Sequence, residues 1–204
     1  MVMDSIICVF GDSTAWGAWD KEKGGWVNRL WLYCAEKAND ENLTEIYNLS
    51  ISGGTTETIL ARFENEARVR HADALIFQTG ANDSAEDGGR GSPNVPPEKF
   101  RENIREIINH AKEKHGRIAF VGAENCDEAR TTPVSWCDYH YTNVRLKEYN
   151  DIMKEVCAAE GVPFCDVFGL LKNEDLADGL HPNVVGHQKL FEKVRDFLTE
   201  QKWI

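Results

Sequence analysis

Positive charge is scarce in this chain. Its 23 Lys and Arg face 34 Asp and Glu across 204 residues, giving a formal net charge of -11 at pH 7. Such a field repels phosphate backbones and anionic lipid surfaces, so nucleic acid is not an expected partner. Long apolar runs are also missing. Nothing approaches the ~20 residues that would span a bilayer, so membrane insertion is not expected either. The first apolar run, Ile6 to Phe10, follows no basic residue and is too brief for the core of a secretory signal, so it reads as a strand. The six cysteines (Cys8, Cys34, Cys126, Cys137, Cys157 and Cys165) include no CxxC pair and sit mostly in apolar segments. Free thiols in a reducing cytoplasm are the simplest account. Cys126, Cys137, Asp138 and His140 carry ligand-type side chains, but their spacing matches no common zinc pattern, and neither a metal nor a cofactor is expected.

What remains is an ordinary globular composition, 42% hydrophobic, enough for one core, so residues 1–204 are read as a single domain. Ser5 to Gly11 is a continuous apolar strand ending in a tight turn. Gly24 to Asn39 places Trp26, Val27, Leu30, Trp31, Cys34 and Ala38 at helical steps, with Asn39-Asp40 closing it. Glu45 to Leu49 is a second strand, and Thr55 caps a helix running to about Arg68. Ala72 to Gln78, Arg117 to Val121 and Val162 to Val167 are further strands. Helices are predicted over Pro97 to Lys114, Tyr141 to Glu160 and Val184 to Leu198.

This alternation predicts an α/β fold with a doubly wound, parallel, five-stranded sheet and right-handed crossovers. Ligands of such sheets bind beyond the carboxyl ends of the strands, so Ser13, Gly53 and Asn82 should converge there although they are far apart in sequence. The loops Glu86 to Pro97 and Ala123 to His140 are expected on the rim of that crevice.

Ser13 follows Gly11-Asp12 at the end of the first strand. A serine hydroxyl needs a base to act as a nucleophile. Asp178-Gly179-Leu180-His181 supplies one, because three residues across a glycine turn let the carboxylate reach Nδ1 and leave Nε2 free to face a serine. An acyl-transfer site also needs donors for the oxygen that becomes negative. The amides of Ser13 and Gly53 and the side chain of Asn82 are the candidates. Asp12 and Asp83 flank the site as turn-capping acids, and His187 is a rival histidine with no carboxylate at a comparable offset. Trp16, Trp19 and Trp26 crowd the segment after Ser13 and, with Trp136, could wall a substrate pocket, although such rings commonly just fill space.

Gly11-Asp12-Ser13, Gly53, Gly80-Ala81-Asn82-Asp83 and Asp178-Gly179-Leu180-His181 resemble the four sequence blocks of the SGNH, or GDSL-like, hydrolase superfamily, over nearly the whole chain. Thr14 stands where the GDSL motif has leucine. The resemblance implies a flavodoxin-like three-layer α/β/α sandwich and a metal-free serine esterase acting on a small acylated substrate, an acyl ester or an acetylated sugar. Ser13 would be the nucleophile, Asp178 would orient His181, and Ser13, Gly53 and Asn82 would form the oxyanion hole. Acyl transfer, thioesterase or lysophospholipase activity would use the same intermediate. A silent binding module would have lost one of these residues, and a phosphate-binding fold would want a glycine-rich first turn. The oligomeric state is not legible.

Overall fold

The first strand, β1 (Ser5–Gly11), is buried on both sides, and its alternation decides the layering. The computed structural model of the chain describes residues 5–39, 43–89 and 91–204; Asp40, expected to close the first long helix, lies outside them, as do residues 1–4. Around β1 assemble β2 (Thr44–Asn48), β3 (Ala74–Gln78), β4 (Arg117–Val121) and β5 (Phe164–Cys165). All pair in parallel, in the order 2-1-3-4-5. That is the flavodoxin-like order, whose direction of winding reverses between β1 and β3.

Side chains of successive strand residues face opposite ways. Ile7, Val9, Ala74, Ile76, Ala119 and Val121 therefore meet one pair of helices, α1 (Gly25–Lys37) and α4 (Val184–Glu200), through Trp26, Leu30, Leu190 and Val194. Cys8, Phe10, Leu75, Phe77 and Phe120 meet the other pair, α2 (Pro97–Lys114) and α3 (Asn143–Glu160), through Phe100, Ile104, Tyr149 and Met153. On that second face Phe10, Phe77 and Phe120 form a ladder across β1, β3 and β4, with ring centroids 5.7 and 5.0 Å apart. The result is a three-layer α/β/α sandwich.

Four expectations need correction. Trp31 is 43% exposed, not part of the buried stripe of α1. At ~100° per residue it points about 140° from Trp26 and about 100° from Leu30, on the edge of the buried stripe, and only Trp26, Val27, Leu30 and Cys34 of the predicted set face the core. The helix after Thr55 is not continuous to Arg68. Thr55 caps Thr56–Leu60, the chain breaks at Arg62, and Phe63–Val69 is a second helix that seats Phe63 edge-on against Phe10 and Phe77. The last strand is much shorter than Val162 to Val167, because only Phe164 and Cys165 register with β4. Asp166 then takes the amide of Phe168 and the Lys154 ammonium, which ends the strand. Finally, none of the described residues of the Glu86 to Pro97 loop lines the crevice at whose rim it was expected; Glu86 and Asp87 pair instead with His140 and Tyr139 in a small antiparallel ribbon.

Candidate active site

Beyond the carboxyl ends of β1 and β3 lies a cavity of about 760 Å³. Ser13, Gly53, Asn82, Asp178 and His181 all line it, so the four sequence blocks do converge. Ser13 opens a short helix, Ser13–Trp16, whose N-cap is Asp12, with Asp12 Oδ1 accepting the Thr14 amide at 2.9 Å. Ser13 Oγ lies 2.8 Å from His181 Nε2. His181 Nδ1 is 2.7 Å from Asp178 Oδ2. With the ring proton on Nδ1, the imidazole donates to the carboxylate and Nε2 accepts from the serine hydroxyl.

Asp178 is itself heavily held. Its Oδ1 accepts the amides of Leu180 and His181 at 2.9 and 2.8 Å, and its Oδ2 also accepts the Trp19 indole N–H at 2.6 Å. Burial works to raise this carboxyl, but the hydrogen bonds from the His181 ring and backbone outweigh it and hold the group at about 2. It stays an anion, able to stabilise a charged imidazole.

Gly53 has φ 78°, a left-handed conformation in which any other residue would be strained, and its missing Cβ leaves open space above the turn. The neighbouring loops are locked together. Asn82 Nδ2 donates to Gly54 O at 3.1 Å, and Asp83 accepts the Thr56 amide at 3.0 Å and the Thr79 hydroxyl at 3.1 Å. Asp83 is thus a structural acid joining the two strand ends, and burial raises its carboxyl.

The wall of the cavity is aromatic. Trp16, Trp19 and Trp136 are each about half exposed and line it, with Tyr139 and Tyr141. The Trp136 ring lies over His181 at 5.5 Å. Trp26 does not belong here; it is fully buried under β3, its indole donating to Gln78 Oε1 at 2.8 Å.

Several participants were not singled out from sequence. Glu124, three residues beyond β4, is buried and accepts the Thr14 hydroxyl at 2.5 Å and the Gln78 amide at 3.4 Å. It sits close enough to Asp12 to act on it. Burial first, and then the Glu124 charge, push the Asp12 carboxyl up to about 7. Tyr141 donates its hydroxyl to Asn82 Oδ1. His187 is no rival base: it is fully buried, its Nε2 bonds Ala18 O at 2.8 Å, and burial lowers its affinity for a proton. None of these links has a local pattern, since each joins residues far apart in sequence. The six thiols are unpaired; Cys126 is buried against Tyr141 O, whereas Cys137 is exposed on the cavity rim. Among the described residues no helix is long and apolar enough to cross a membrane.

The sequence model of the GDSL-like Lipase/Acylhydrolase family matches residues 9–189. A GDSL esterase/lipase, WDL1, from Oryza sativa subsp. japonica is 24% identical over 97% of this chain and 79% of its own length. An isoamyl acetate-hydrolyzing esterase 1 homolog from Rattus norvegicus is 25% identical over 91% of this chain and 78% of its own length. The crystal structure of a lipase/acylhydrolase from Enterococcus faecalis superposes with a TM-score of 0.75 at 24% identity, covering 97% of this chain and 96% of that one.

Proposed function

The chain belongs to the GDSL-like Lipase/Acylhydrolase family and is a carboxylic ester hydrolase, and on that premise we propose that it cleaves small acyl esters through an acyl-enzyme on Ser13. The observation that carries this reading is the unbroken relay from Ser13 Oγ to His181 Nε2 at 2.8 Å and from His181 Nδ1 to Asp178 Oδ2 at 2.7 Å. As the hydroxyl attacks the ester carbonyl, His181 takes its proton, and Asp178 stabilises the imidazolium without itself being protonated. The carbonyl oxygen becomes an oxyanion, met by the amides of Ser13 and Gly53 and the Asn82 side chain. His181 returns the proton to the departing alcohol. A water, deprotonated by the same ring, then attacks the acyl-enzyme; the acid leaves and Ser13 regains its proton.

The substrate class follows from the cavity. Its walls are largely apolar and aromatic, which suits a short acyl group joined to a compact alcohol, and the rat relative is named for hydrolysing isoamyl acetate. Trp16, Trp19 and Trp136 are the contacts assigned to substrate. Residues 1–204 form one catalytic domain in this reading, and six free thiols, five of them buried, favour a reducing compartment such as the cytoplasm.

The test is Ser13→Ala against a panel of p-nitrophenyl esters of increasing acyl length, with fluorophosphonate labelling read by mass. Wild type should take up one label, on Ser13, and prefer the short esters. The variant should lose both the label and at least about 10⁴-fold in kcat. Retained esterase activity in Ser13→Ala would remove Ser13 from the mechanism.

A further inference from the structure

Trp19 occupies a backbone conformation that a bulky aromatic residue rarely adopts. Its φ is 66°, in the left-handed region, and its ring is half exposed, so core packing does not explain why it is held there. The loop around it is rigid. Gly17 and Gly25 touch backbone to backbone, so closely that a Cβ on Gly17 would lie 2.1 Å from Gly24 O. The buried Asp20 carboxylate accepts the amides of Glu22, Lys23 and Gly25 and pairs with Arg29 at 2.8 Å. His187, from α4, grips Ala18 O. This framework presents the indole N–H to Asp178 Oδ2 at 2.6 Å, the same oxygen that accepts the hydrogen bond from His181 Nδ1.

The other two donors to Asp178 come from the 178–181 turn itself and move with it. Among the described residues the Trp19 indole is the one donor to that carboxylate from outside the turn. It ties the carboxylate to the segment that carries Ser13, six residues earlier in the chain. A carboxylate fixed at both oxygens fixes the plane of the ring it orients.

We propose that Trp19 is a positioning residue, whose indole N–H holds Asp178 so that His181 Nε2 stays aligned on Ser13 Oγ. Trp19 thereby does more than wall the cavity: the loop that delivers the nucleophile also steers its base. This rests on the assignment of Ser13, His181 and Asp178 above.

Trp19→Phe keeps an apolar ring and removes the donor. With p-nitrophenyl acetate its kcat should fall roughly 10- to 100-fold, the range that outer hydrogen-bond partners command in metal sites, while KM stays within about twofold of wild type, since the phenyl ring keeps an apolar surface on the cavity wall and a substrate as small as an acetyl ester leans little on it. In ¹⁵N–¹H spectra of uniformly labelled protein, the indole resonance missing from Trp19→Phe should lie downfield in wild type and move upfield in Asp178→Asn, where the acceptor is no longer charged. A wild-type kcat in folded Trp19→Phe, or a rise confined to KM, would reduce Trp19 to a wall. If that variant does not fold, the resonance is assigned by selective ¹⁵N-tryptophan labelling and sequential connectivity in wild type, and an indole shift identical in wild type and Asp178→Asn would equally overturn the proposal. Ser13→Ala, run alongside, separates the two readings: if it is active, the nucleophile is wrong, whereas an inactive Ser13→Ala beside a fully active Trp19→Phe sinks the Trp19 role alone.

Discussion

The Tyr141 hydroxyl donates to Asn82 Oδ1 at 3.0 Å, and that bond decides which way the Asn82 amide faces. With the carbonyl end claimed by Tyr141, Nδ2 is turned toward Gly54 O, which takes one of its protons at 3.1 Å and leaves the second for the cavity. Burial pushes the Tyr141 phenol well above its ordinary range, so it remains a donor throughout the working pH range.

Asn82→Ala should therefore lower kcat by roughly 10²–10³, about 2.7–4 kcal/mol, with KM little changed, as for loss of an oxyanion donor. Steady-state kinetics on a p-nitrophenyl ester checks this. A loss carried by KM alone would make Asn82 a binding residue.

Asp12→Asn should stabilise the protein at alkaline pH. In the folded chain the Asp12 carboxyl is pushed up to about 7, against an ordinary 3.8. Between those values the folded state holds a proton that the unfolded state has released, so wild-type stability from this group falls as pH rises from about 4 to 7. Asparagine keeps an oxygen for the Thr14 amide and never ionises. The variant should match wild type near pH 4 and exceed it by on the order of 1–3 kcal/mol at pH 8 in urea unfolding. Equal stabilities at pH 8 would contradict a buried, proton-holding Asp12.

Asp20→Asn should destabilise in the opposite pH sense. The side chains of Asp20 and Arg29 are 0% and 5% exposed, so the variant leaves a guanidinium buried without its counter-charge, at a cost of about 3–5 kcal/mol. Burial favours the neutral acid, but the Arg29 and backbone hydrogen bonds prevail and hold Asp20 at about 2. Its stabilisation is thus complete above about 4 and lost as pH falls through 2. Melting curves of both proteins should be far apart at pH 7 and draw together toward pH 2.

Much of the fold was legible because burial leaves a periodic trace. β1, β4 and α2 have the limits expected from their apolar patterns, since each is bounded by turn residues or proline. Val162 and Val167 misled because both are buried without being in the ladder: Val162 closes α3 through Cys157 O, and hydrophobicity records burial, not pairing. The break at Arg62 carries no glycine or proline, so nothing local announces it. At the candidate site, the pairing of Asp178 with His181 was legible because a turn of fixed length links the two, and the placement of Ser13 because it follows the end of β1. The Trp19–Asp178, Tyr141–Asn82 and Thr14–Glu124 contacts span 159, 59 and 110 residues, and only the folded sheet brings such partners together.

The backbone crossing at Gly17 and Gly25 has a mechanical consequence. A methyl group on Gly17 would have to displace main chain, and one on Gly25 would fall 2.3 Å from Gly17 Cα. The strand-to-helix corner that carries the serine is consequently a stiff bracket rather than a flap: an alanine at either position would pry it apart and shift hydroxyl and indole in a single motion, damage that no nearby rotamer could absorb.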